Sequence, residues 1–90
     1  MAVDQEFLSR SFRCANLLVA QAMRATAAHL EFRPNPGHPD WPMSAGAPWS
    51  GYPSGIIWID LQSSLWKLVN CQNIQAVAVM AIAHEYYHLL

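Results

Sequence analysis

The closing stretch of the chain, Ala81 to Leu90, reads AIAHEYYHLL and places His84, Glu85 and His88 in an H-E-x-x-H spacing. On an α-helix, positions i and i+4 lie one above the other on a single face. His84 and His88 can therefore present both imidazoles to one zinc ion, at nitrogen–metal distances of about 2.0–2.1 Å. Glu85 follows the first histidine by one position, about 100° further around the helix. That offset suits a carboxylate that takes a proton from a zinc-activated water, and does not suit a third ligand.

Composition alone produces this spacing about once in two hundred sequences of such length and His/Glu content. Its surroundings make it more specific. From Ile74 to Leu90 every residue outside the motif is uncharged. Two histidines and a glutamate on an apolar helix cost free energy unless something satisfies them, and a metal ion would satisfy all three together. Tyr86 and Tyr87, at the x positions, are expected to pack against neighbouring elements.

The elements that must position this helix are legible in outline. The chain predicts an α+β fold in one domain, mostly helical. Residues 1–33 read as a long helix from Asp4 to Phe32, with Leu8, Phe12, Ala15, Val19 and Ala22-Met23 forming one apolar stripe. Asp4 is the expected N-cap and Pro34 the stop, with His29 to Arg33 open to a short strand instead. All six prolines and all four glycines fall between Pro34 and Gly55, which excludes a regular helix or a central strand there and predicts a loop over 34–55. Within it, Trp41, Trp49 and Tyr52 are expected to cover the neighbouring core. Residues 56–60 predict one short strand whose apolar side chains alternate onto two covered faces. A short helix over 61–69 follows, capped by Asp60, with Leu61, Leu65, Leu68 and Val69 inward. Asn70 to Asn73 make a polar turn before the motif helix, 74–90.

Bulk properties exclude several function classes. Of the 90 residues, 53% are hydrophobic and 12% charged, so some apolar surface is expected to lie against another layer or chain. The net charge of -1, with no basic cluster, gives no footprint for nucleic acid. Cys14 and Cys71 have no metal or redox spacing and read as buried thiols, or as a bridge if the protein is exported. The longest apolar run, Ala76 to Ala83, is eight residues against the ~20 of a bilayer span. No signal peptide is apparent, so the cytoplasm is the default expectation.

The motif helix resembles the active-site helix of the zincin metallopeptidases. The order of initial helix, Gly/Pro-rich stretch, YPSGIIWID, short helix and AVAVMAIAHEYYHLL is similar to that of bacterial neutral zinc metallopeptidases in particular. The resemblance implies a zinc-dependent peptidase acting on peptide or protein substrates, with His84 and His88 as zinc ligands and Glu85 as general base. It also implies that strand 56–60 is the edge strand along which the substrate is laid.

Zincins take a third His, Glu or Asp ligand from downstream of the motif, where only Leu89 and Leu90 stand here. The resemblance therefore implies an N-terminal part of a larger zincin-like domain, inactive alone, whose C-terminal part supplies that ligand. His29, Glu31, His38 and Asp40 lie upstream, and His38 is the nearest to a substitute among them. The competing expectation is a non-catalytic helical interaction module in which the motif is fortuitous.

Overall fold

A computed structural model describes residues 4–46 and 55–89. Helix α1 spans Gln5–Met23. Asp4 caps it as expected, extended itself and accepting a hydrogen bond from the Phe7 N–H at 2.7 Å. Leu8, Phe12, Ala15 and Val19 point into the core as the stripe predicts, but Ala22 and Met23 are exposed, and Asn16 and Ala20 fill the inner face instead.

The helix stops at Met23, nine residues before Phe32, the end anticipated from Pro34. Arg24 adopts the left-handed conformation at φ 53, ψ 42. Its N–H donates to the Gln21 carbonyl at 3.2 Å, and the Ala25 N–H to the Ala20 carbonyl at 2.9 Å. These paired bonds satisfy carbonyls that the last turn leaves open. No glycine or proline marks this stop. Tertiary pairing of the next residues outweighs a helix-permissive sequence.

Those residues form β1, His29–Glu31, the strand left open as an alternative. A second strand, β2, Met43–Ala45, lies inside the Gly/Pro-rich stretch that was expected to be loop throughout. It follows Pro42, a position proline tolerates at the start of an edge strand. The third, β3, Ile56–Ile59, is one residue shorter than the predicted 56–60. The three make a sheet in the order β1-β3-β2. Strand β1 runs parallel to β3 with Leu30 opposite Ile57, and β2 antiparallel with Ser44 opposite Trp58. Strand β3 is therefore central, and its backbone is paired on both sides. It cannot be the substrate-binding edge, because no free row of backbone donors and acceptors remains. Ile57, Trp58 and Ile59 are all buried, so both faces are covered as expected.

The predicted 61–69 helix is a 3-10 helix over Ser64–Leu68, capped by Ser63, while the Asp60 carboxylate accepts from the Gln62 N–H. The inward residues recur at three, Ser63, Trp66 and Val69, which is the 3-10 period. Leu65 and Leu68, chosen on the α-helical period, face outward, Leu68 with 77% exposure. Helix α2, Ile74–Leu89, begins after a reciprocal pair in which Asn70 and Asn73 each accept the other's backbone N–H.

The two helices pack on each other, and α2 also packs on β2. Fully buried Phe12 meets Trp66 edge-on, with ring centroids 5.1 Å apart, and fully buried Ala15 and Ala78 keep the helix surfaces low. Asn35 and Ser44, both buried, hydrogen-bond to each other and hold the start of the Gly/Pro stretch to β2. Trp41 is half-exposed and stacked on His38, so it does not cover the core; Trp49 and Tyr52 lie outside the described residues. Cys14 and Cys71 are free thiols, yet exposed rather than buried. Among the described residues no helix is long and apolar enough to cross a membrane.

The left-handed Arg24 gives a stability prediction. That conformation costs a side-chain-bearing residue about 1–2 kcal/mol, and glycine escapes the steric part but loses more chain entropy on folding. Arg24→Gly is expected to raise the unfolding free energy by about 0.5–1 kcal/mol, read as a higher urea midpoint at constant m-value. A lowered midpoint would show that the helix does not end through this cap.

Candidate metal centre

The roll of α2 about its own axis creates the site. Ile74, Ala78, Ile82 and Glu85 recur at three and four residues and are buried, and Tyr86 joins them. The opposite stripe, Ala76, Met80, His84, Tyr87 and His88, is exposed. A helix with apolar residues on every side would have no preferred roll from hydrophobicity alone. Here a hydrogen-bonded ring supplies one.

The Tyr86 hydroxyl donates to Asn16 Oδ1 at 2.5 Å and accepts from the Ala28 N–H at 2.8 Å. Asn16 Nδ2 donates to the Ala28 carbonyl at 2.8 Å, which closes the ring. All three residues are buried, so each polar group depends on its partner. The ring ties α2, α1 and the approach to β1 together. Sequence reading placed Tyr86 as a packing residue but missed Asn16. A lone asparagine on the inner face of an apolar stripe was the available signal.

With that roll fixed, His84 and His88 face outward with Nε2 atoms 3.2 Å apart, their rings inclined at 81°. With both rings neutral, one donates a hydrogen bond to the other. The same separation suits a shared ion: ligands about 2.0–2.1 Å from a tetrahedral zinc stand about 3.3–3.4 Å from each other. The spacing of the two nitrogens is thus close to that of two ligands on one ion.

Glu85 sits beside the pair and is only 7% exposed. Burial pushes its carboxyl above the ordinary glutamate range, and the charges of His84 and His88 partly offset this. A carboxylate held in such surroundings accepts a proton more readily than one in water.

The upstream candidates do not join the motif. Glu31 Oε2 accepts from Trp58 Nε1 and Arg33 Nε, both at 2.9 Å, and His29 lies 4.0 Å from the other Glu31 oxygen. His38 is stacked on Trp41 with centroids 3.8 Å apart, and Asp40 is exposed. Among the described residues no three His, Cys, Asp or Glu side chains gather to hold a metal ion. Of the three motif residues, the structure brings the two histidines together on the open face and turns Glu85 to the buried side, near enough to feel their charges.

Two outcomes follow in chelator-treated protein. Glu85 binds its proton more tightly folded than unfolded, so stability falls as pH rises from the ordinary glutamate value through the raised one. Glu85→Gln should abolish that slope in urea unfolding, leaving the variant the more stable at neutral pH; an unchanged slope would place its cause elsewhere. Tyr86→Phe strands the Ala28 N–H and Asn16 Oδ1 and should cost about 1–3 kcal/mol in the same assay. A neutral result would mean that the ring does not hold the fold.

No family model, curated protein or solved structure matches this chain.

Proposed function

We propose that this chain is the metal-binding part of a zincin-like zinc metallopeptidase, which hydrolyses peptide bonds by attack of an activated water. The observation that carries the reading is the convergence of His84 and His88 at 3.2 Å on the open face of α2, with Glu85 buried beside them. Bound zinc supplies Lewis acidity that brings the ionisation of water near neutrality. His84 and His88 would hold the ion through their imidazole nitrogens. Glu85 takes a proton from the attacking water and passes it to the departing amine nitrogen. Its raised proton affinity suits a group that must do both.

The substrate strand is reassigned from β3 to β2. Strand β2 packs on α2 and is paired along one side only among the described strands, so its other edge can take an extended peptide. A catalytic zinc would need a third protein ligand, which no group of His, Cys, Asp or Glu side chains among the described residues supplies. With two protein ligands this stretch alone binds zinc weakly and shows little or no hydrolysis.

One observation favours a second reading, a non-catalytic helical module with a fortuitous motif. Leu17, Leu68 and Tyr87 are large and well exposed, one on each of the three helical elements, and are apolar surface that a partner protein could cover. That module would fold identically with and without chelator.

Calorimetric zinc titration with thermal unfolding separates the two. The peptidase reading predicts one zinc per chain and a melting temperature raised by zinc and restored by chelator, a stabilisation of about 2.7 kcal/mol at a hundredfold excess over Kd. His84→Ala should remove both effects. Stoichiometric zinc retained by that variant would end the site assignment, and indifference of the parent chain to zinc would favour the module.

A further inference from the structure

A cleft of about 480 Å³ lies between the first turn of α1 and the 3-10 helix, and none of the H-E-x-x-H residues lines it. Its floor is apolar. Leu8, Trp66 and Val69 are buried, and half-buried Leu61 stands with them. Two contacts hold the Trp66 ring: it meets Phe12 edge-on, and its Nε1–H donates to the Asp60 carbonyl at 2.7 Å. That bond uses the indole's one donor, so the ring offers only carbon to an occupant.

The exposed polar groups form the mouth. Gln5 and Gln62 bring amides, and Ser63 Oγ accepts from the Leu65 N–H at 3.3 Å, which leaves its own proton to donate. Lys67 carries the one charge among the lining residues and makes no ion pair among the described residues. The carboxylates next along the chain are engaged by backbone, Asp4 accepting from the Phe7 N–H and Asp60 from the Gln62 N–H. No acidic side chain lines the cleft.

A space of this size with an apolar floor and a few polar groups has the make-up of a small-molecule site. The floor takes an apolar body, and Trp66 suits a ring. The mouth offers hydrogen-bond donors and one unpaired cation, which suit a single anionic head. We propose that this cleft binds a compact carboxylate with a ring-bearing apolar body, its head at Lys67 and Ser63 and its ring on Trp66. An alcohol of the same shape forfeits the charge, and an ammonium meets Lys67 with like charge. The site is independent of the metal reading above, since the two share no residue.

The test uses the full chain with chelator present, so that no metal takes up the carboxylate. Phenylbutyrate, phenylbutanol and phenylbutylamine, three heads on one body, are titrated and followed by amide and indole NMR shifts. Phenylbutyrate is expected to move the Trp66 indole and the Leu8 and Val69 amides, and to bind about threefold or more tightly than the alcohol. Lys67→Gln, a change at an exposed position, should bring the acid down to the level of the alcohol and leave the alcohol unchanged. Gln62→Glu, also exposed, should weaken the acid and favour the amine. Shifts centred elsewhere, or none, would overturn the site. So would equal affinities for acid and alcohol in the parent chain, because Lys67 would then recognise nothing. An equal loss of acid and alcohol in Lys67→Gln would overturn it too, since Lys67 would be shaping the cleft rather than binding the anion.

Discussion

The Tyr86 hydroxyl is the point on which the arrangement turns. It donates to Asn16 and accepts from the Ala28 N–H, reaching 70 and 58 residues back along the chain. Few side chains can do both in one place, and phenylalanine could supply the same apolar body with neither bond. Because Tyr86 lies inside the motif, its anchoring also sets the orientation of its neighbours. Glu85 is drawn to the buried side, and His84 and His88 are left on the open one. The site is thus built from the interior outward.

That construction has a physical cost. Glu85 is buried where its charge is poorly solvated, and the partial compensation comes from the histidines alone. A fold selected only for stability would place an apolar residue there. An ion held by the histidine pair would add positive charge beside Glu85 and offset the same penalty. Metal binding and the stability of α2 would then be coupled, since an ion on the exposed His84 and His88 would act on the nearby carboxylate that burial strains. The edge strand β2 belongs to the same unit through its packing on α2. Its Met43 and Ser44 are buried while one side of its backbone stays unpaired among the described strands.

The sequence was most legible where a local rule had no competitor. Asp4 as a cap, the Asn70–Asn73 turn, the start of α2 and the inward face from Leu8 to Val19 all follow from short-range chemistry. Where long-range contacts decide, the reading failed. The end of α1 is set by the pairing of residues 28–31 with elements far along the chain, and Pro34 was a plausible but wrong stop. Strand β2 was hidden because three residues between prolines and glycines have too little pattern to declare themselves. The central position of β3 is a matter of sheet order, which no single strand encodes. The 3-10 helix was misread because its apolar residues fit a period of 3.6 as well as a period of three. Of the site, residue identity and spacing were readable, but the depth of Glu85 and the part played by Asn16 required the packed structure.

The central claim is that His84 and His88 hold one ion on the face opposite the Tyr86 anchor. Crystals grown with zinc and measured on both sides of the zinc absorption edge test it directly. The account predicts one anomalous peak bridging the two Nε2 atoms, with the Tyr86–Asn16–Ala28 ring unchanged. A peak only at Cys14, Cys71 or His38, or none at all, would contradict it.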